Sequence, residues 1–139
     1  MSAAIAYKPD KSQAALVFDM QSRAYNTESL IEFLEKFHRH FKGEKVTLIW
    51  DGLPSHRSKA MRAWIGKQRR WLVVERLPAY APDLNPVELL WGNVKGSELA
   101  NLCPETIEEA RAVAEEGLLR AGTDYQLCFN FLDHTGLSL

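Results

Sequence analysis

Cysteine is scarce in this sequence: Cys103 and Cys128 are the only two, and neither has a close-spaced partner. That excludes a cysteine-built zinc site and a disulfide scaffold, and it suits a reducing cytoplasm. No apolar run approaches the roughly 20 residues that a membrane-spanning helix needs. The opening Met-Ser-Ala-Ala-Ile-Ala-Tyr-Lys lacks the charged start and long apolar core of a signal peptide, so the expected location is the cytoplasm, with no membrane partner. Repeats and low-complexity stretches are absent, and so is a strong charge of either sign, the formal net charge being −1. What is present is ordinary globular composition, 46% hydrophobic and 25% charged over 139 residues. That length suits a single domain, residues 1–139, around one core.

The near-neutral sum hides a segregated charge pattern. Arg57, Lys59, Arg62, Lys67, Arg69, Arg70 and Arg76 face only Glu75 within their stretch, whereas Glu105, Glu108, Glu109, Glu115 and Glu116 face only Arg111. A basic stripe of this kind attracts a phosphate backbone, and it is equally compatible with a solvated helix face.

Two short apolar runs, residues 3–8 and 14–20, flank Pro9-Asp10-Lys11-Ser12 and predict a β-hairpin whose second strand turns Leu16, Phe18 and Met20 to one face. Asn26 or Thr27 caps a helix with Leu30, Ile31, Leu34, Phe37 and Phe41 at helical spacing, stopped by Gly43. The run Val46-Thr47-Leu48-Ile49-Trp50 reads as a strand buried on both faces. Residues 55–69 read as a basic helix with Ala60, Met61, Trp64 and Ile65 turned inward, and 71–77 as the next strand. A proline-rich loop, 78–86, leads to Asn85-Pro86, a strong helix start, with Val87, Leu90, Trp91 and Val94 along one side. Thr106 and Glu109 suggest a capping box for a last long helix with Ile107, Ala110, Val113 and Leu118 inward, and the apolar tail 127–139 packs back on the domain. The order β-β-α-β-α-β-α-α predicts an α/β domain with a mixed sheet.

Two carboxylates stand out by their setting. Asp51 follows the most apolar strand, at the sheet edge where α/β proteins bind ligands. Glu88 lies in the first turn of the helix after the proline-rich loop. Carboxylates so placed can converge on hard divalent cations, which take oxygen ligands and keep several waters. Plainer roles remain open for both. Asp51-Gly52 is also a common turn pair, and Glu88 sits three residues after Asn85, where it could close a capping box. His56, a polar residue opening a helix, could likewise be merely exposed.

The strings Ile49-Trp50-Asp51-Gly52-Leu53-Pro54-Ser55-His56-Arg57-Ser58 and Leu77-Pro78-Ala79-Tyr80-Ala81-Pro82-Asp83-Leu84-Asn85-Pro86-Val87-Glu88-Leu89-Leu90-Trp91, followed by Lys95, strongly resemble the DDE transposases of bacterial insertion sequences, in the branch related to the mariner elements. The resemblance covers nearly the whole chain. It implies a ribonuclease H-like fold and DNA cleavage and joining with Mg²⁺ or Mn²⁺ held by two aspartates and a third Asp or Glu. Asp51 matches the second acid and Glu88 the third, 37 positions apart. His56 would sit beside the site, orienting a phosphate or water, with Arg57, Lys59, Arg62, Lys67, Arg69, Arg70 and Lys95 as DNA-backbone contacts. The family's first aspartate lies on a strand upstream of the opening hairpin, so the resemblance implies an N-terminally incomplete domain, weak metal binding and little activity for the isolated chain. Asp19, on a strand expected at the outer edge of the sheet, lies too far from Asp51 to replace that acid. A non-enzymatic dimerising regulator, or a remnant of a transposase, is the rival reading. Strand edges left open by a missing strand further predict a homodimer, with residues 3–20 at or near its interface.

Overall fold

The computed structural model describes residues 1–21 and 23–139, which form two compact units: Met1–Met20 with Asp83–Leu139, and Gln21–Pro82.

In the first unit, β1 (Ser2–Tyr7) and β2 (Ala14–Asp19) pair antiparallel, with Ser2 opposite Asp19 and Tyr7 opposite Ala14. Their turn is built from local chemistry. Lys8 N donates to Gln13 O at 2.9 Å, Ser12 N donates to the Asp10 carboxylate at 2.9 Å, and Lys11 takes a left-handed conformation (φ 58°). Three helices complete this unit: α3 (Pro86–Val94), α4 (Ile107–Thr123) and α5 (Tyr125–Thr135). Leu90 and Val94 of α3 meet Ala114, Leu118 and Ala121 of α4 and Phe131 of α5, and Ile5, Leu16, Phe18 and Met20 close the core from the hairpin side. The expected one-face set of β2 is therefore the packed one. Tyr7 ties hairpin to helix: its hydroxyl donates to the Cys128 carbonyl at 2.7 Å, and burial pushes the phenol well above its usual range. The apolar tail forms α5, an element beyond the expected order.

The second unit holds α1 (Thr27–His40), β3 (Val46–Trp50), α2 (Lys59–Lys67) and β4 (Leu72–Arg76). Asn26 caps α1 in a reciprocal box with Ser29, and Gly43 takes the left-handed conformation (φ 86°) just past the helix end. β3 and β4 run parallel, Val46 opposite Leu72 and Trp50 opposite Arg76. Leu30 and Leu34 of α1, Trp50 of β3 and Met61 of α2 form the core, with Leu48, Trp64, Ile65 and Val74 against it.

Several sequence expectations change. β3 is not buried on both faces: α1 and α2 cover the Leu48, Trp50 and Val74 side, and Ile49 stays 47% exposed and Val73 54%. The helix expected over 55–69 is split. Pro54–Arg57 is a 3₁₀ turn, and Ser58 caps the shorter α2 by accepting from Met61 N at 3.1 Å, which turns Ala60 outward. Within α4, Ile107 is exposed and the buried positions are Ala114, Gly117, Leu118 and Ala121, because the packing stripe begins one turn later. Both strand senses expected of a mixed sheet occur, but among the described residues they form two separate two-stranded sheets, one antiparallel and one parallel.

Candidate metal centre

Asp51 is the first residue beyond β3, where the ladder closes with Leu77 N donating to Trp50 O at 2.9 Å. Its side chain makes the turn that the Asp-Gly pair suggests, accepting from Leu53 N at 3.2 Å through Oδ1. The same oxygen lies 2.8 Å from Nδ1 of His56, which is also 3.1 Å from the Asp51 main-chain carbonyl. His56 is carried by the 3₁₀ turn, whose Leu53 carbonyl accepts from His56 N at 3.0 Å. The imidazole stacks flat on the Trp50 indole, with ring centres 4.2 Å apart and planes at 2°. His56 is thus largely shielded, its side chain 11% exposed, whereas the Asp51 side chain stays 43% exposed.

Glu88 lies in the first turn of α3, where the positive end of the helix dipole favours its charge. Asn85 caps this helix through Val87 N at 3.2 Å. Among the described residues no bond from the Glu88 carboxylate closes the box with Asn85, so its charged end is left to solvent. Glu88 lines a groove between α3 and α5, together with Leu89, Gly92 and Asn93 on one side and Asn130, Phe131 and His134 on the other. Asn130 and His134 were not singled out in the sequence. Their four-residue spacing is the signal, and it has meaning only once the tail is known to be a helix.

Asp51 and His56 are therefore brought together within the unit 21–82, while Glu88 belongs to the other unit. Arg57 lies in the 3₁₀ turn, Lys59, Arg62 and Lys67 on α2, and Arg69 and Arg70 in the turn before β4; all are exposed. Lys95, also exposed, opens a π-helical turn after α3. Asp51 Oδ1 takes the bonds from Leu53 and His56, leaving Oδ2, and in the other unit Glu88 is exposed; each offers a carboxylate oxygen, the donor type that hard cations take. Among the described residues no group of three or more His, Cys, Asp or Glu is gathered that could hold a metal ion, so any such site draws on further ligands.

Residues 1–110 match the family described as DDE superfamily endonuclease, and the chain belongs to that family. Its fold is the ribonuclease H-like fold of the Mos1 transposase catalytic domain. The structure of that domain with raltegravir and Mn matches with a TM-score of 0.61 at 19% identity, covering 89% of this chain and 66% of that one. The structure with raltegravir and Mg matches with a TM-score of 0.60 at 18% identity, covering 89% and 65%. The chain thus spans just under two thirds of the length of those catalytic-domain chains. No curated protein matches it. No helix among the described residues is long and apolar enough to cross a membrane.

Proposed function

We propose that this chain is the catalytic portion of a DNA transposase of an insertion sequence, forming with its two units a single functional domain that works on DNA in the cytoplasm. The observation that carries the reading is Asp51, placed at the carboxyl end of a parallel strand with one oxygen held and the other open. Asp51 and Glu88 would hold Mg²⁺ or Mn²⁺, the ions named with the Mos1 structures. A cation so held would supply Lewis-acid polarisation of a phosphodiester and would lower the pKa of a bound water. Arg57, Lys59, Arg62, Lys67, Arg69, Arg70 and Lys95 would contact the DNA backbone, adding affinity without sequence information. His56 stands beside the metal ligand, and two copies of the chain would associate as a homodimer.

Calorimetric titration with Mn²⁺ tests the site. Weak binding is expected in the native chain, since two carboxylates are fewer than such ions usually recruit from protein and substrate together. Asp51→Ala should abolish it and Glu88→Ala should weaken it. Binding unchanged in both variants would overturn the assignment.

A further inference from the structure

We propose that His56 is a positioning residue for Asp51, clamping one carboxylate oxygen so that Asp51 presents Oδ2 alone to a cation. The inference rests on the reading of Asp51 as a metal ligand. Nδ1 of His56 faces two oxygens of the same residue, the carboxylate Oδ1 at 2.8 Å and the main-chain carbonyl at 3.1 Å. A main-chain carbonyl only accepts, so Nδ1 carries the hydrogen that faces both oxygens. The ring has little freedom to leave this position. Its face lies on the buried Trp50 indole, and its main chain is pinned by the Leu53 carbonyl.

Leu53 N holds the same Oδ1 at 3.2 Å, so two donors converge on one oxygen and none of these bonds reaches the other. A carboxylate held in this way has Oδ1 engaged and offers Oδ2. Its single free oxygen suits a small cation that keeps most of its waters and demands near-octahedral geometry. Outer partners of this kind typically change metal affinity by about 10–100-fold when removed.

The test exploits the two ring nitrogens. In His56→Asn the amide nitrogen takes the place of Nδ1, whereas in His56→Gln it takes the place of Nε2. Mn²⁺ affinity, measured by calorimetry on variants whose folding is checked by thermal melting, should fall about 10–100-fold in His56→Ala and His56→Gln. His56→Asn should restore most of it. Nitrogen NMR of the native protein at pH 8 should report the Nδ1–H tautomer, a readout independent of any variant. The reverse pattern, with Gln retaining affinity and Asn losing it, would make Nε2 itself the contact and overturn the proposal. Equal affinity in all four proteins, or an Nε2–H tautomer, would overturn it as well. Binding that survives Asp51→Ala would instead defeat the metal reading on which the proposal stands, while the tautomer still decides whether the clamp exists.

Discussion

Gly117 shows how a single missing side chain sets helix packing. A Cβ at this position in α4 would lie 2.8 Å from Glu98 Oε2 and 2.9 Å from Val94 Cγ1, both too close. Val94 is buried in the core and Glu98 is held by the Arg120 guanidinium, so neither neighbour has an easy retreat. Gly92 in α3 is the contrast, with open space around the same hypothetical atom. Alanine is favoured over glycine inside a helix by about 1 kcal/mol, and overpacking costs roughly 1–3 kcal/mol. Gly92→Ala should therefore stabilise by up to about 1 kcal/mol, while Gly117→Ala should give a net loss of about 1 kcal/mol. Urea denaturation of the two variants checks this, and a gain at both positions would show that α4 yields. Other features at this scale were legible in the sequence. Asn26, Asn85 and Thr106 cap helices as their residue types suggest, because a cap is a bond between near neighbours. Glu109 differs in detail: its carboxylate takes Glu105 N rather than Thr106 N.

The basic stripe is a property of an element. Lys59, Arg62 and Lys67 lie on the side of α2 away from Met61, which is fully buried, while Arg57, Arg69 and Arg70 flank the two ends of the helix. The charge pattern was readable along the chain, but its presentation depends on Ser58 ending the 3₁₀ turn and starting α2. Serine is a favoured N-cap, but the sequence offers both Ser55 and Ser58, and only the structure selects the second. If these side chains meet phosphates, binding to DNA should be sequence-independent and fall steeply with salt, with a dissociation constant on the order of 10⁻⁴ to 10⁻⁶ M. Replacing Arg62, Arg69 and Arg70 together by glutamate should remove it. Fluorescence anisotropy of a labelled duplex across a salt series checks this, and insensitivity to both salt and the replacements would reduce the stripe to a solvated face.

For the molecule as a whole, the strands bear on assembly. Parallel strands are normally found in sheets covered on both faces, whereas among the described residues β3 and β4 pair only with each other, with Ile49 and Val73 facing solvent. An isolated two-stranded sheet is marginal, and unpaired strand edges invite another chain. Among the described residues the strands of the hairpin β1–β2 likewise pair only with each other, and most of their residues are half-buried. A homodimer with the hairpin at or near its interface is the expected outcome, and strand exchange is a low-cost route to it. Analytical ultracentrifugation at high micromolar concentration decides: a monomer there would contradict the expectation.

The sequence by itself determined the order of elements from β1 to α4, the starts of α1, α3 and α4, the packed face of β2 and the two acids worth attention. Each of these depends on residues within a few positions of one another, or on a period of two or 3.6. It also carried the family, through the motifs around Asp51 and Glu88. Only the tertiary structure decided that α1 and α2 cover one face of β3 and leave the other open, because an apolar run has no period to say which side is covered. Likewise, only the fold brought the His56 ring onto Trp50 and against Asp51, where Oδ1 is held and Oδ2 is left open. In sequence these are the end of a strand, the residue after it and a histidine five positions on; their stacking and hydrogen bonding require the 3₁₀ turn that carries His56 back over the end of the strand.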